Sequence, residues 1–234
     1  MTEPRIRPAT AADVETILSA KRELMIAPGT AALSHGGFLL GSSREQYEFF
    51  IANANVLVLE AEDRLLGFSV TLPDPLLRAS DLWARAARID WESVSAAEGA
   101  PNLLAIMAGR IGYFEQLAFL RFPDVRIYAP AFALAAALQL AETGHQHIFM
   151  TVVKEPVANL APLPFLRIIG ARRLGSIAEE YPEVGVITSD IYHLDTERWN
   201  FGVGADSPLF GLRERIARTM AALRKPRACA RSKP

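Results

Sequence analysis

Apolar positions along the chain repeat with two periods, and the changes from one to the other outline its elements. Residues 4–8 read as a short strand, after which Val14, Ile17, Leu18 and Leu24 recur at helical spacing. Residues 27–41 are rich in Gly, Ala and Ser and read as a loop. Ser42-Ser43-Arg44-Glu45 then forms a capping pattern ahead of a second helix carrying Tyr47, Phe50 and Ile51. NVLVLEAEDRLLGFSVTLP holds two β-prone runs around Glu62-Asp63-Arg64, which predicts a hairpin. Residues 74–110 break the pattern with Pro75, Pro101 and two tryptophans, and read as an insertion with a helix near 82–88. IGYFEQLAFL, 111–120, predicts a strand. After Pro123-Asp124, RIYAPAFALAAAL opens a helix reaching about Thr143. HIFMTVV, 147–153, is continuously β-prone and predicts a central strand covered on both faces. A proline-rich helix at 160–168 and two strands, RRLGSIAEE and GVITSDIYHL, follow. Leu209, Leu212, Ile216, Met220 and Leu223 share one helical face near the C-terminus. These elements predict one α/β domain over 1–200 with a mixed sheet. Residues 201–234 add an amphipathic helix, placed to dock on the domain or on a second subunit in a homodimer, and a basic tail.

Composition narrows the function classes. Half of the 234 residues are apolar, enough for a core, and 25 basic against 26 acidic residues leave a net charge of -1. No overall field draws the molecule to nucleic acid or to a membrane surface. The single cysteine, Cys229, excludes an intramolecular disulfide and a multi-cysteine zinc site. The first residues, MTEPRIRPATAADVETIL, mix charge and proline where a signal peptide needs an apolar stretch, and no apolar run reaches the length of a membrane span. A soluble, cytoplasmic protein is the expectation.

The order β-α-α-β-β-β-α-β-α-β-β and three strings carry a resemblance. RIRPATAADVETIL, YFEQLAFLRFPDVR, and the block Asn159, Phe165, Gly170 followed by Arg172-Arg173-Leu174-Gly175 stand in the order and spacing of the GNAT superfamily of acyl-CoA-dependent N-acetyltransferases. The resemblance covers roughly residues 4–195. It implies a mostly antiparallel central sheet flanked by helices, an insertion before the fourth strand, and acetyl-CoA as co-substrate. The family's loop, Q/R-x-x-G-x-G/A, aligns with Arg126-Ile-Tyr-Ala129-Pro130-Ala131, with alanine where glycine is usual. A helix start offers backbone N–H groups and the positive end of a dipole to a diphosphate. Alanine keeps that N–H, whereas Pro130 has none. By resemblance, the backbone of Leu117 and Phe119 pairs with the pantetheine arm, and amides near Arg126, Ala129, Ala131 and Phe132 face the diphosphate. Asn159 has two readings, a neighbour of the cofactor or a helix cap. The helix itself has a second reading as a plain core helix.

The same resemblance makes Glu115 the expected base for an amine acceptor. The family's frequent tyrosine acid falls at Leu166, which donates nothing, leaving Tyr181 or Tyr192 as substitutes. A thiol of ordinary pKa near 8.5 is a tolerable leaving group without one. His145 and His147 alternate on a strand but lack a third ligand nearby, so no metal site is expected. Phe38, Leu39, Trp83 and Trp91 are candidates for an apolar acceptor wall, and Asp74, Asp81 or Asp90 for attracting an ammonium. From Gly211 onward eight Lys or Arg stand against one Glu, without a nucleic-acid reading motif. The resulting expectation is an N-acetyltransferase acting on a primary amine of a small molecule or peptide. Its alternative is a non-catalytic protein of the same fold, with a degenerate cofactor loop, that binds a ligand or partner.

Overall fold

A computed structural model describes residues 4–27, 29–80, 83–84, 95–96, 102–122, 125–181 and 183–196. In chain order the elements are β1 (Arg5–Pro8), α1 (Val14–Glu23), β2 (Ala32–Leu33), α2 (Arg44–Asn53), β3 (Asn55–Ala61) and β4 (Arg64–Leu72). Next come α3 (Asp74–Arg78), β5 (Ser95–Ala96), α4 (Leu103–Met107), β6 (Ile111–Phe119), α5 (Val125–Glu142) and β7 (His147–Glu155). The last are β8 (Ala158–Asn159), α6 (Leu163–Ile168), β9 (Arg172–Tyr181) and β10 (Gly185–Asp195).

Local chemistry sets several boundaries. Ser43 caps α2, its hydroxyl accepting from the Gln46 N–H at 3.2 Å. The β3–β4 hairpin turns on Glu62 and Asp63 alone, both at positive φ, so Arg64 begins β4 rather than closing the turn. Thr10 and Asp13 form a capping box ahead of α1, and Arg7 grips the Asp13 carboxylate at 2.7 and 2.8 Å. That guanidinium holds the Asp13 carboxyl down to about 2.

Eight strands form one sheet in the order β1-β3-β4-β6-β7-β10-β9-β5. Every pairing in it is antiparallel except β6 with β7, whose crossover is α5. Side-chain alternation divides the core between the two faces. Val56, Val58, Phe68, Val70 and Phe149 pack with Val14, Ile17, Tyr47 and Phe50 of α1 and α2. Leu57, Leu59, Ile148, Met150 and Val152 pack with Phe132, Leu134 and Leu140 of α5 and Leu166 of α6. α5 is apolar all round because it is buried, Ala131–Ala137 and Leu140 being covered. The fold is thus the expected mixed, mostly antiparallel sheet between helices, with β7 central. It departs from expectation at Thr151, which is exposed on the α1/α2 face, so β7 is covered on both faces only in its first half. The expected helix near 82–88 falls largely, and that at 209–223 entirely, outside the described residues, as does the basic tail. Among the described residues no helix is long and apolar enough to cross a membrane.

His145 and His147 do not converge. His145, 1% exposed, accepts the Asp74 N–H through Nε2 at 2.9 Å, while its Nδ1 lies 3.0 Å from the Leu140 carbonyl. It thereby ties α3 to the end of α5. Asp74, proposed from sequence to attract an ammonium, instead accepts from Ile111 N–H at 3.0 Å and from Arg78 at 3.0 Å. His147 meets His193 across β7 and β10, Nδ1 to Nε2 at 3.0 Å, with the Phe149 ring 5.3 Å from His193. Burial and the neighbouring His147 push His193 down to about 4.

Two tests follow. Gly67 lies against β6 so closely that a Cβ would stand 2.7 Å from the Ala118 carbonyl oxygen and 2.8 Å from Phe119. Gly67→Ala should cost about 1–3 kcal/mol in urea unfolding. Gly41→Ala, with open space at its Cβ, should stay within about 0.5 kcal/mol. The second test concerns acid. A histidine held neutral in the fold takes up a proton more readily once unfolded, so its contribution is complete above its ordinary value and is lost as pH falls from 6.5 through about 4. The Tm should drop by at least about 3 °C between pH 7 and pH 5, and His193→Gln should shrink that drop.

Candidate functional site

β6 and β7 run together for only four residue pairs, from Ile111 with His147 to Phe114 with Met150. Beyond that pair β6 keeps only β4 as a ladder neighbour and β7 only β10, so the two parallel strands fork. A bulge sits at the vertex. Val70 of β4 faces Gln116 and Thr71 faces Phe114, which leaves Glu115 as the extra residue in β6. The bulge resets side-chain alternation. Gln116 and Ala118 then turn to the α1/α2 face, and Leu117 and Phe119 to the α5 face. Phe119 meets Phe132 edge-on there, ring centroids 5.7 Å apart.

Polar groups gather on the α1/α2 face of the vertex. The Tyr113 hydroxyl and Thr151 Oγ1 lie 2.8 Å apart, bridging the two strands of the fork. Burial first, and then Glu115, Tyr181 and Glu179, push the Tyr113 phenol far above its ordinary range, so it stays protonated. Tyr47, wholly buried, donates to Gln116 Oε1 at 2.5 Å. Lys21 of α1 points its ammonium to Ser42 Oγ at 2.5 Å and sits 4.6 Å from the centre of the Phe38 ring. Burial pushes Lys21 down to about 8, with the charge of Glu115 acting against that fall. The carboxylate of Glu115 therefore has Lys21, Tyr47 and Tyr113 as electrostatic neighbours.

The loop between α1 and α2 crosses the mouth of the fork. β2 pairs in parallel with β8, which follows β7. His35 Nε2 lies 2.7 Å from an Arg121 guanidinium nitrogen just after β6. Phe38 stacks on Phe68 at 6.0 Å, which places it as an apolar wall on this face. Trp83 packs against the core under the Arg78 guanidinium at 4.8 Å and anchors its own segment. Asp81, Asp90 and Trp91 lie outside the described residues.

The expected diphosphate loop is placed differently from its sequence alignment. α5 already begins at Val125, whose N–H bonds the Phe122 carbonyl at 3.2 Å. Ala129, Ala131 and Phe132 therefore lie past the first turn, where helical N–H groups are taken by carbonyls four residues back. Pro130 is inside the helix and withholds the N–H that would reach the Arg126 carbonyl. Of the loop residues named from sequence, Arg126 alone contributes an amide to the first turn, and its side chain lies outside the described structure. Asn159 pairs with Leu33, and its Oδ1 accepts from Ala161 N–H at 3.3 Å, a cap-like contact ahead of α6. Leu166 is core. Tyr192 packs on the α5 face, away from Glu115, whereas Tyr181 lies near Tyr113.

Sequence reasoning passed over Lys21 and Tyr113. The signal for Lys21 was present: it falls at the core position of the stripe Val14, Ile17, Lys21, Leu24. Nothing in the local pattern marked Tyr113, because its partner Thr151 is 38 residues away.

No protein-family model matches the sequence, and no curated protein matches it. Solved structures do match in fold. A putative acetyltransferase, yncA of Salmonella typhimurium, solved with its cofactor acetyl-CoA, superposes with a TM-score of 0.53 at 11% identity over 84% of this chain and 96% of its own. The ribosomal-protein-S18-alanine N-acetyltransferase of Escherichia coli gives 0.52 at 10% identity over 83% and 94%. FeeM, an N-acyl amino acid synthase from uncultured soil microbes, gives 0.51 at 14% identity over 85% and 94%.

Proposed function

On the premise that the chain has the GNAT acetyltransferase fold, we propose that it is an acyl-CoA-dependent N-acetyltransferase, moving the acetyl group of acetyl-CoA to a primary amine of a small molecule or peptide by direct attack. The observation that carries this reading is the fork after Phe114 and Met150, with a carboxylate bulged out at its vertex. In it, the backbone of Leu117 and Phe119 lies along the pantetheine arm, and the first turn of α5, including the Arg126 amide, faces the diphosphate. Ala131 and Phe132, buried against the sheet, support that turn by packing, and Ala129 stands one turn behind it. Asn159 flanks the same arm from β8.

Acetyl-CoA supplies an activated acyl carbon and a thiol leaving group. Attack by the amine nitrogen on that carbon forms the C–N bond and breaks the C–S bond, giving the amide and the free thiol. The sulfur departs as a thiolate; Glu115 accepts the proton lost by nitrogen and gives it up to solvent, from which the thiolate is protonated to the thiol. Tyr113, protonated and beside Glu115, donates a hydrogen bond where negative charge develops, a role that Leu166 cannot fill.

The start of α5 at Val125, together with a core leucine in place of the usual tyrosine, favours the second reading, a non-catalytic protein of this fold. Calorimetric titration separates the two. The enzyme binds acetyl-CoA below millimolar concentration and releases thiol when amines are supplied, whereas the second reading gives neither. Glu115→Gln should lower kcat by about 100-fold or more while the Kd for acetyl-CoA changes by less than about threefold.

A further inference from the structure

Lys21 is 5% exposed, the only lysine or arginine buried among the described residues. Burying an ammonium is costly unless its donors are met by oxygens or by an opposite charge. The three N–H donors of Lys21 find Ser42 Oγ at 2.5 Å, the Gly41 carbonyl only at 3.5 Å, and the face of Phe38. A helix built for stability alone would carry an apolar residue at this position of its stripe. The ammonium also shares the α1/α2 face of the fork with Glu115. A cation and an anion that feel each other's charge on the same face of the fork match a ligand with the reverse arrangement, an amine next to a carboxylate.

Building on the acetyltransfer reading above, we propose that Lys21 recognises a carboxylate on the acceptor, so that the amine delivered to Glu115 belongs to a free amino acid rather than to a neutral amine. The acceptor carboxylate completes the donor set of Lys21 while the amine nitrogen lies at the Glu115 side. The reaction balances as before: the amino acid and the acetyl thioester give the N-acetyl amino acid and the free thiol. The carboxylate is untouched by the chemistry, so its recognition acts through binding and orientation.

The test uses the full chain and pairs of acceptors that differ only in that group: phenylalanine, methionine and glutamate against their α-carboxamides, with thiol release from acetyl-CoA as the readout. The expected ratio of kcat/KM, acid over amide, is about tenfold to hundredfold for at least one pair, as a charge-assisted contact gives. In K21M that ratio should fall towards one, chiefly through the KM for the acid. A measurement on the unaltered protein guards against a K21M chain that fails to fold: the N-acetyl derivative of the acid that turns over best should bind in calorimetry at least about tenfold more tightly than its amide. Turnover with a ratio near one for every pair, a ratio unchanged in K21M, or equal binding of the two products overturns the carboxylate assignment alone. Absence of both acetyl-CoA binding and thiol release with all six amines overturns the acetyltransfer reading, and this inference with it.

Discussion

The organisation of the site depends on where two parallel strands stop pairing. Backbone N–H and C=O groups in a sheet hold strands together only while register and direction allow, and β6 and β7 satisfy each other for four residue pairs. The extra residue at Glu115 falls at the end of that ladder and bends β6 away from β7. It also changes which face every later residue of β6 occupies. In a regular strand Gln116 would lie under α5, and Phe119 would point away from Phe132. With the bulge, Gln116 reaches Tyr47 and Phe119 packs edge-on against Phe132. One inserted residue thus builds both the polar side of the fork and the apolar seat of α5.

The two arms of the fork are held at their open end by a segment from far away in sequence. The loop after α1 pairs with β8 on one side and meets Arg121 through His35 on the other. Closing so long a loop costs little more than closing a short one, so contacts between segments this far apart in sequence carry only a small added entropy. The same loop presents Phe38 and Ser42 to Lys21.

Charge is handled differently at the edge and at the centre. Arg5 and Arg7 share Glu60 on the outer strands, and Arg7 also holds Asp13, in a network that staples β1 to β3 and to the start of α1. Those groups neutralise one another close to water. Around the fork, Lys21, Glu115 and Tyr113 sit where burial has already shifted the lysine down and the phenol up. Lys21 interrupts the apolar stripe of α1, a local inconsistency of the kind that also occurs at functional sites.

Local pattern identified the seven long strands, the helices α1, α2, α5 and α6, the hairpin, the α2 cap and the central place of β7, because these depend on residues a few positions apart, but not the short β2, β5, β8, α3 and α4. It identified Glu115 as a strand carboxylate but not the bulge that presents it, since a bulge is a mismatch between two strands and has no signature in one of them. The resemblance, by aligning Arg126–Ala131 with the family's loop, put the free amides several residues too late, because Val125 was already bonded to Phe122. Lys21 stands at a core position of its helical stripe, but only the fold closes Phe38 and Ser42 over it. Short-range pattern determined the elements and their order. Only the tertiary structure decided which polar side chains share the fork, because burial and cross-strand register arise from the whole sheet at once.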